Sequence, residues 1–263
     1  MRGLEKNWEK KAQVTIFIIL ALIIFFAIVL YFILQNSLMN SASVSARENP
    51  AKYMEDCIKT PLENYLNNMS LHGGTVSNQN NLIYSKNKVE YLCYTDKNNS
   101  LCNSKTSVTK KMEDELHNLM QKPIEDCFNN LGNYLSQMNY SQSSDVSYTV
   151  QIVPNSVIVN ISREVYYDQD SNRAHVSSFS EVDKSPTFDF LNFANLIVRH
   201  ETACACGNES CTANVFDLTR QNTDFDISVF VAGTGEKVYT IRELNSGKTF
   251  RFAVRNCVFQ LIV

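Results

Sequence analysis

A chain of 263 residues with 44% hydrophobic composition can bury a sizeable core, which excludes chain-wide disorder. Its 24 basic side chains face 27 acidic ones for a net charge of −3, so it lacks the basic surface that phosphate neutralisation demands, and nucleic acid is not an expected partner. All eight cysteines (Cys57, Cys93, Cys102, Cys127, Cys204, Cys206, Cys211 and Cys257) lie beyond the N-terminal apolar segment. An even count on one side of that segment suits disulfides formed in an oxidising compartment.

Residues 1–12 form a basic segment containing Arg2, Lys6, Lys10 and Lys11. From Ile16 to Leu34 no charge or proline interrupts the apolar run, and about twenty such residues are what a helix needs to cross the hydrocarbon core of a bilayer. A transmembrane helix is therefore expected over residues 13–35. No charge follows it until Arg47. The positive-inside rule then predicts a cytoplasmic N-terminus and an extracytoplasmic remainder in a single-pass cell-membrane protein.

At the junction, Lys10-Lys11-Ala12-Gln13-Val14-Thr15-Ile16-Phe17 resembles the class III signal of type IV pilins. That resemblance implies a processing site between Ala12 and Gln13 and a retained helix that packs into a filament core. Phe17 stands where many pilins carry Glu, and Ala12 where Gly is commoner. The same start, together with Asp56-Cys57, Gly73-Gly74 and the run Phe250–Asn256, is similar to uncharacterised single-pass membrane proteins of small-genome archaea of the nanoarchaeal and woesearchaeal kind. This second resemblance implies an archaeal surface and no particular reaction.

Residues 36–49 read as a stalk or a helix extension, and residues 50–263 as an α+β extracytoplasmic domain. Asn49 and Pro50 open a helix whose stripe is Met54, Cys57, Ile58, Pro61, Leu62, Tyr65, Leu66 and Met69, with Pro61 expected to kink it. Gly73-Gly74 stops it, and a hairpin is expected around Ser85–Lys88. A second long helix runs from Ser107 to about Leu135 through Pro123, burying Met112, Leu116, Leu119, Met120, Ile124, Cys127, Phe128, Leu131 and Leu135. Two strands meet at Pro154-Asn155, and the polar stretch 168–184 reads as a flexible loop or subdomain boundary. Ser185-Pro186 opens a third helix, and three strands follow at 227–232, 237–244 and 249–258. Together these elements predict an antiparallel sheet covered on one face by amphipathic helices.

The most pointed chemical pattern is His200 with Cys204, Cys206 and Cys211, thiolates and an imidazole being tetrahedral zinc ligands. It lacks paired C-x2-C knuckles, so a disulfide-stapled loop is the preferred reading and no cofactor is expected. Cys57–Cys127 is expected to join the two long helices, Cys93–Cys102 to close a short loop, and Cys257 to pair within the 204–211 set, among the order of a hundred complete pairings that eight cysteines allow. His200-Glu201 has no second histidine for a zinc-protease helix, and Gly233-Thr234-Gly235-Glu236-Lys237 joins strand to strand, so it reads as a turn rather than a phosphate loop. Glu113-Asp114 and Asp224/Asp226 read as solvated acids, and no catalytic residue is assigned. Five Asn-x-Ser/Thr triplets (Asn68, Asn98, Asn139, Asn160 and Asn208) hardly exceed the roughly four that chance would supply.

The expected function is therefore structural or adhesive, in a cell-surface protein with the lipid bilayer and copies of itself or other pilin-like proteins as partners. The alternative is a membrane-tethered enzyme or solute-binding domain whose site is assembled from distant residues.

Overall fold

The structure, a computed structural model, describes residues 20–29, 46–76, 80–96, 102–104, 107–169, 172–203, 223–232 and 235–256. It divides into two units, Met1–Tyr53 and Met54–Val263. In the first, residues 20–29 are helical and their large apolar side chains, such as Ile23, Phe25 and Phe26, are exposed. The rest of Ile16–Leu34, the basic segment and the junction at Ala12 and Gln13 lie outside the described residues. Among the described residues, no helix is long and apolar enough to cross a membrane.

The second unit is α+β. Helix α1 (Pro50–Leu71) begins where the Asn49 side chain accepts the Lys52 N–H at 3.0 Å, which satisfies one of the donors that a helix start leaves unpaired. Its stripe of Met54, Ile58, Leu62, Leu66 and Met69 is buried almost completely, each side chain contributing about 1.5–3 kcal/mol relative to exposure. Gly73 and Gly74 end the helix at φ of 83° and 86°, where Gly74 N–H reaches back to Met69 O at 2.8 Å. Glycine is required at Gly73 for a second reason. A Cβ there would stand 2.9 Å from the Cβ of Glu90.

Strands β1 (Asn81–Tyr84) and β2 (Asn87–Tyr94) form the expected hairpin. Its two turn residues, Ser85 and Lys86, both take positive φ, as a two-residue turn compatible with strand twist demands. The short strand β3 (Asn103–Ser104) also pairs with β2. Helix α2 (Val108–Leu135) is capped by Ser107 and buries nine residues from Val108 to Leu135 at three- and four-residue spacing. Leu119, expected in that stripe, is only half-buried. Both α1 and α2 continue through their internal prolines, Pro61 and Pro123.

The chain then builds a four-stranded sheet from β4 (Ser141–Gln142), β5 (Ser147–Val153), β6 (Ser156–Gln169) and β7 (Asn172–Lys184). The turn between β5 and β6 is Pro154-Asn155, with Asn155 at φ 62°. Strand β7 corrects the expectation of a loop at 168–184: twelve of its thirteen residues pair with β6 along nearly its whole length. Its alternation is real, but Phe179, Glu181 and Asp183 form the buried side. Two acids on the inward face disguise a strand as a polar segment.

Helix α3 (Thr187–Ala203) starts from Ser185, whose hydroxyl accepts the Thr187 N–H at 3.3 Å. Strands β8 (Phe225–Val231), β9 (Glu236–Glu243) and β10 (Thr249–Arg255) complete a six-stranded sheet in the order β1-β2-β10-β9-β8, with β3 beside β2. The expectation of one antiparallel sheet is thus corrected twice. The described residues form two sheets, and β10 pairs with β2 in parallel.

Helix α2 packs on β5, where Ile152 N–H donates to Glu113 at 2.8 Å and the His117 ring stacks on Tyr148 at 4.2 Å. Helix α3 touches both sheets. Phe190 sets it on the larger one, 5.7 Å from the Phe225 ring and 6.1 Å from that of Phe250.

Candidate functional site

Of the candidate zinc ligands singled out from the sequence, His200 alone is among the described residues, at the C-terminal end of α3. His200 lies half-exposed in its last turn. Cys204, Cys206, Cys211 and Cys257 fall outside the described residues. Among the described residues, no group of three or more His, Cys, Asp or Glu side chains could hold a metal ion.

The residue beside His200 organises this end of the helix. Glu201 continues the buried stripe of Phe190, Ala194, Ile197 and Val198 and is itself only 3% exposed. A carboxylate so deeply buried needs partners, since desolvation of an uncompensated charge costs several kcal/mol. It has two on β9: Lys237 Nζ donates to both oxygens at 2.8 and 3.0 Å, and the Tyr239 hydroxyl donates to Oε1. Burial, then the charge of Glu201, pushes the Tyr239 hydroxyl far above its ordinary pKa. Tyr239 is therefore a fixed donor rather than a base. The backbone of Glu201 is held as well, its carbonyl accepting Asn256 Nδ2 at 2.5 Å, while Asn256 Oδ1 accepts the Cys102 N–H at 2.8 Å. Helix α3, two strands and the Cys93–Cys102 loop meet in one polar knot.

The opposite face of β9 repeats the chemistry. Tyr91 donates to Glu236 at 2.8 Å, Arg255 Nη1 stands 3.8 Å from the same carboxylate, and its guanidinium lies over the Tyr94 ring at 5.5 Å. Burial and the neighbouring Glu236 raise the Tyr91 hydroxyl too. Each carboxylate is consumed by a cation and a phenol. Such sets fix register and leave no free acid or base for proton transfer.

Two of the disulfide pairings suggested from the sequence are formed, and the third, of Cys257 within the 204–211 set, lies outside the described residues. Cys57–Cys127 joins α1 to α2, and Cys93–Cys102 closes the short loop after β2. Cys57 lies four residues before Pro61 and Cys127 four residues after Pro123. In α1 the carbonyl of Cys57 is the one that Pro61 leaves without its intrahelical donor, whereas in α2 the bond that Pro123 removes is to the carbonyl of Leu119, two turns before Cys127.

The other histidines, and several of the acids, have ordinary partners. His72 Nδ1 contacts Asn68 O at 2.6 Å, and His117 stacks on Tyr148. On the exposed face of β6 and β7, His175 pairs with Glu164 and stacks on Tyr166 at 4.5 Å. Beside it Arg173 pairs with Asp168 at 3.1 Å. A hydrogen bond from Asn139, then the Arg173 contact, holds the Asp168 carboxyl below the usual range. Glu113, expected to be a solvated acid, instead anchors the β5 backbone, whereas Asp114 pairs with Lys110 in solvent. Between β8 and β9, Ala232 N–H donates to Glu236 O at 2.8 Å and Gly235 takes φ 84°, while Gly233 and Thr234 of the expected turn lie outside the described residues.

Sequence reasoning missed Glu201 as the organising residue. The available signal was its place on the apolar stripe of α3. No protein family matches the chain, and neither the curated proteins nor the solved structures contain a match to it.

Proposed function

We propose that this is a membrane-anchored surface protein of structural or adhesive kind, its N-terminal apolar segment serving as anchor and, in a pilin-like version, as the assembling element. The observation that carries the reading is the pair of disulfides, Cys57–Cys127 and Cys93–Cys102, on the far side of the apolar run Ile16–Leu34 from its basic flank. Disulfides persist in oxidising compartments, and positive flanks stay inside. Further support comes from the polar sets around β9, where each carboxylate is spent on holding the fold rather than left open for chemistry. The partners on this reading are the lipid bilayer and copies of this chain or other pilin-like subunits.

Protease treatment of intact cells, followed by mass spectrometry of the recovered chain, tests the reading. It predicts cleavage of residues 36–263 from outside and oxidised Cys57 and Cys127. A domain protected until the cells are lysed, with those cysteines open to alkylation, overturns it. In the pilin-like version the mature chain begins at Gln13, and recovery of an intact N-terminal segment removes that version alone.

A further inference from the structure

We infer that a cleft between α3 and the start of α2 is a binding site for a small organic anion, a carboxylate or phosphate head carried on an apolar body. The cleft has a volume of about 640 Å³, within the range of roughly 300–1,000 Å³ typical of small-molecule sites. Its floor is apolar. Leu92 of β2, Val108 of α2 and Val198 of α3 are all buried against the core.

The rim along α3 is polar and cationic. Asn192, Asn195 and Arg199 line the cleft at spacings of three and four, which puts them in one row on the helix surface. Neither carboxamide, nor the guanidinium of Arg199, has a hydrogen-bond or ion-pair partner among the described residues, whereas the neighbouring cations are taken: Lys110 pairs with Asp114 at 2.7 Å and Lys111 with Glu90. The row therefore offers one planar cation and two carboxamides able to donate through their NH2 groups, and no acid among the described residues lines the cleft. A guanidinium fork matches a carboxylate or phosphate in a two-point contact, and the positive end of α2 on the opposite wall adds to the same field. Leu196, 41% exposed on the same helix, gives the apolar body a flank as well as a floor. A neutral ligand of the same shape would leave Arg199 without its counter-charge, so selectivity falls on the head group.

The test is calorimetry on the full chain in nanodiscs of zwitterionic lipid, titrated with benzoate, with phenyl phosphate and with benzyl alcohol. At least one of the two anions should bind saturably with a Kd near or below about 1 mM, and the tighter of them identifies the head group. Benzyl alcohol should bind at least about tenfold more weakly, and Arg199→Gln should weaken the anion about tenfold, with partial recovery in Arg199→Lys. Asn195→Trp, at a position on the helix surface, should fill the cleft and abolish binding. Absence of saturable binding by both anions, equal binding of benzyl alcohol, or an Arg199→Gln variant with unchanged affinity would each overturn the site. The surface role proposed above is tested by protease accessibility, so the two can fail separately.

Discussion

Replacing Cys57 and Cys127 together by alanine cuts the link between α1 and α2 but leaves both helices their buried stripes. The bridge closes a loop of 70 residues, whereas Cys93–Cys102 closes one of 9. In the chain-entropy description, a loop of the first size removes about 4.4 kcal/mol of freedom from the unfolded ensemble at 25 °C, and one of the second size about 2.6 kcal/mol. The double-alanine variants should lose stability in that order. Equilibrium urea unfolding of the full chain in mild detergent, followed by circular dichroism, provides the measurement. With a slope of about 2 kcal/mol per molar urea, the midpoint should fall by about 2 M for the long-loop variant and about 1.3 M for the short-loop one. A short-loop variant that loses as much as the long-loop variant refutes loop closure as the source of the stabilisation. Enthalpic packing around the buried Cys93 and Cys102 would then dominate.

Gly73→Ala combines a positive φ with a contact of 2.9 Å to Glu90 Cβ and should cost more than about 2 kcal/mol, whereas Gly247→Ala, at φ 70° with open space around it, should cost about 1 kcal/mol. Equal midpoint shifts in urea would remove the steric argument. Burial raises the Asp183 carboxyl above its ordinary pKa, with smaller effects from Lys248, Glu63 and Lys59, and its Oδ2 is buried without a hydrogen-bond partner. The folded state holds that proton more tightly than the unfolded state, so stability falls as pH rises from the unfolded value of about 4 to the folded one. Asp183→Asn should consequently be more stable than the parent at pH 7, with the advantage gone by about pH 3; an advantage independent of pH contradicts the assignment. Lys237→Met strands the Glu201 carboxylate and should cost about 3 kcal/mol, most of it recovered when Glu201→Gln is added. Additive losses in that double-mutant cycle would mean that the two groups do not act as a pair.

The helices were legible because their apolar residues recur at three and four, and Ser107, Gly73-Gly74 and Ser185 mark their limits with recognisable local chemistry. The hairpins at Ser85-Lys86 and Pro154-Asn155 were legible for the same local reason. Strand β7 was not, since Glu181 and Asp183 occupy the positions where apolar residues would announce a buried face. The division into two sheets was equally hidden, because register across separate segments leaves no periodic trace in either one. At the candidate site, His200 drew attention by its type, while Glu201 acts by meeting Lys237, Tyr239 and Asn256, which lie 36 to 55 positions away. Single-sequence patterns cannot register such meetings.

The parallel insertion of β10 between β2 and β9 governs the order in which the chain can become a solid object. The smaller sheet is assembled from neighbours in sequence, residues 141–184, and its pieces are available as soon as they leave the ribosome. The larger sheet waits. Strand β2 must hold its edge open for the synthesis of roughly 160 further residues before its parallel partner arrives, a delay of about ten to thirty seconds at ordinary elongation rates. Until then its apolar residues, Val89, Tyr91 and Leu92 among them, lack their final neighbours. A cell that makes this protein must shield that strand for the interval, so the early half of the chain is where a chaperone would bind and where a stalled or truncated product would aggregate.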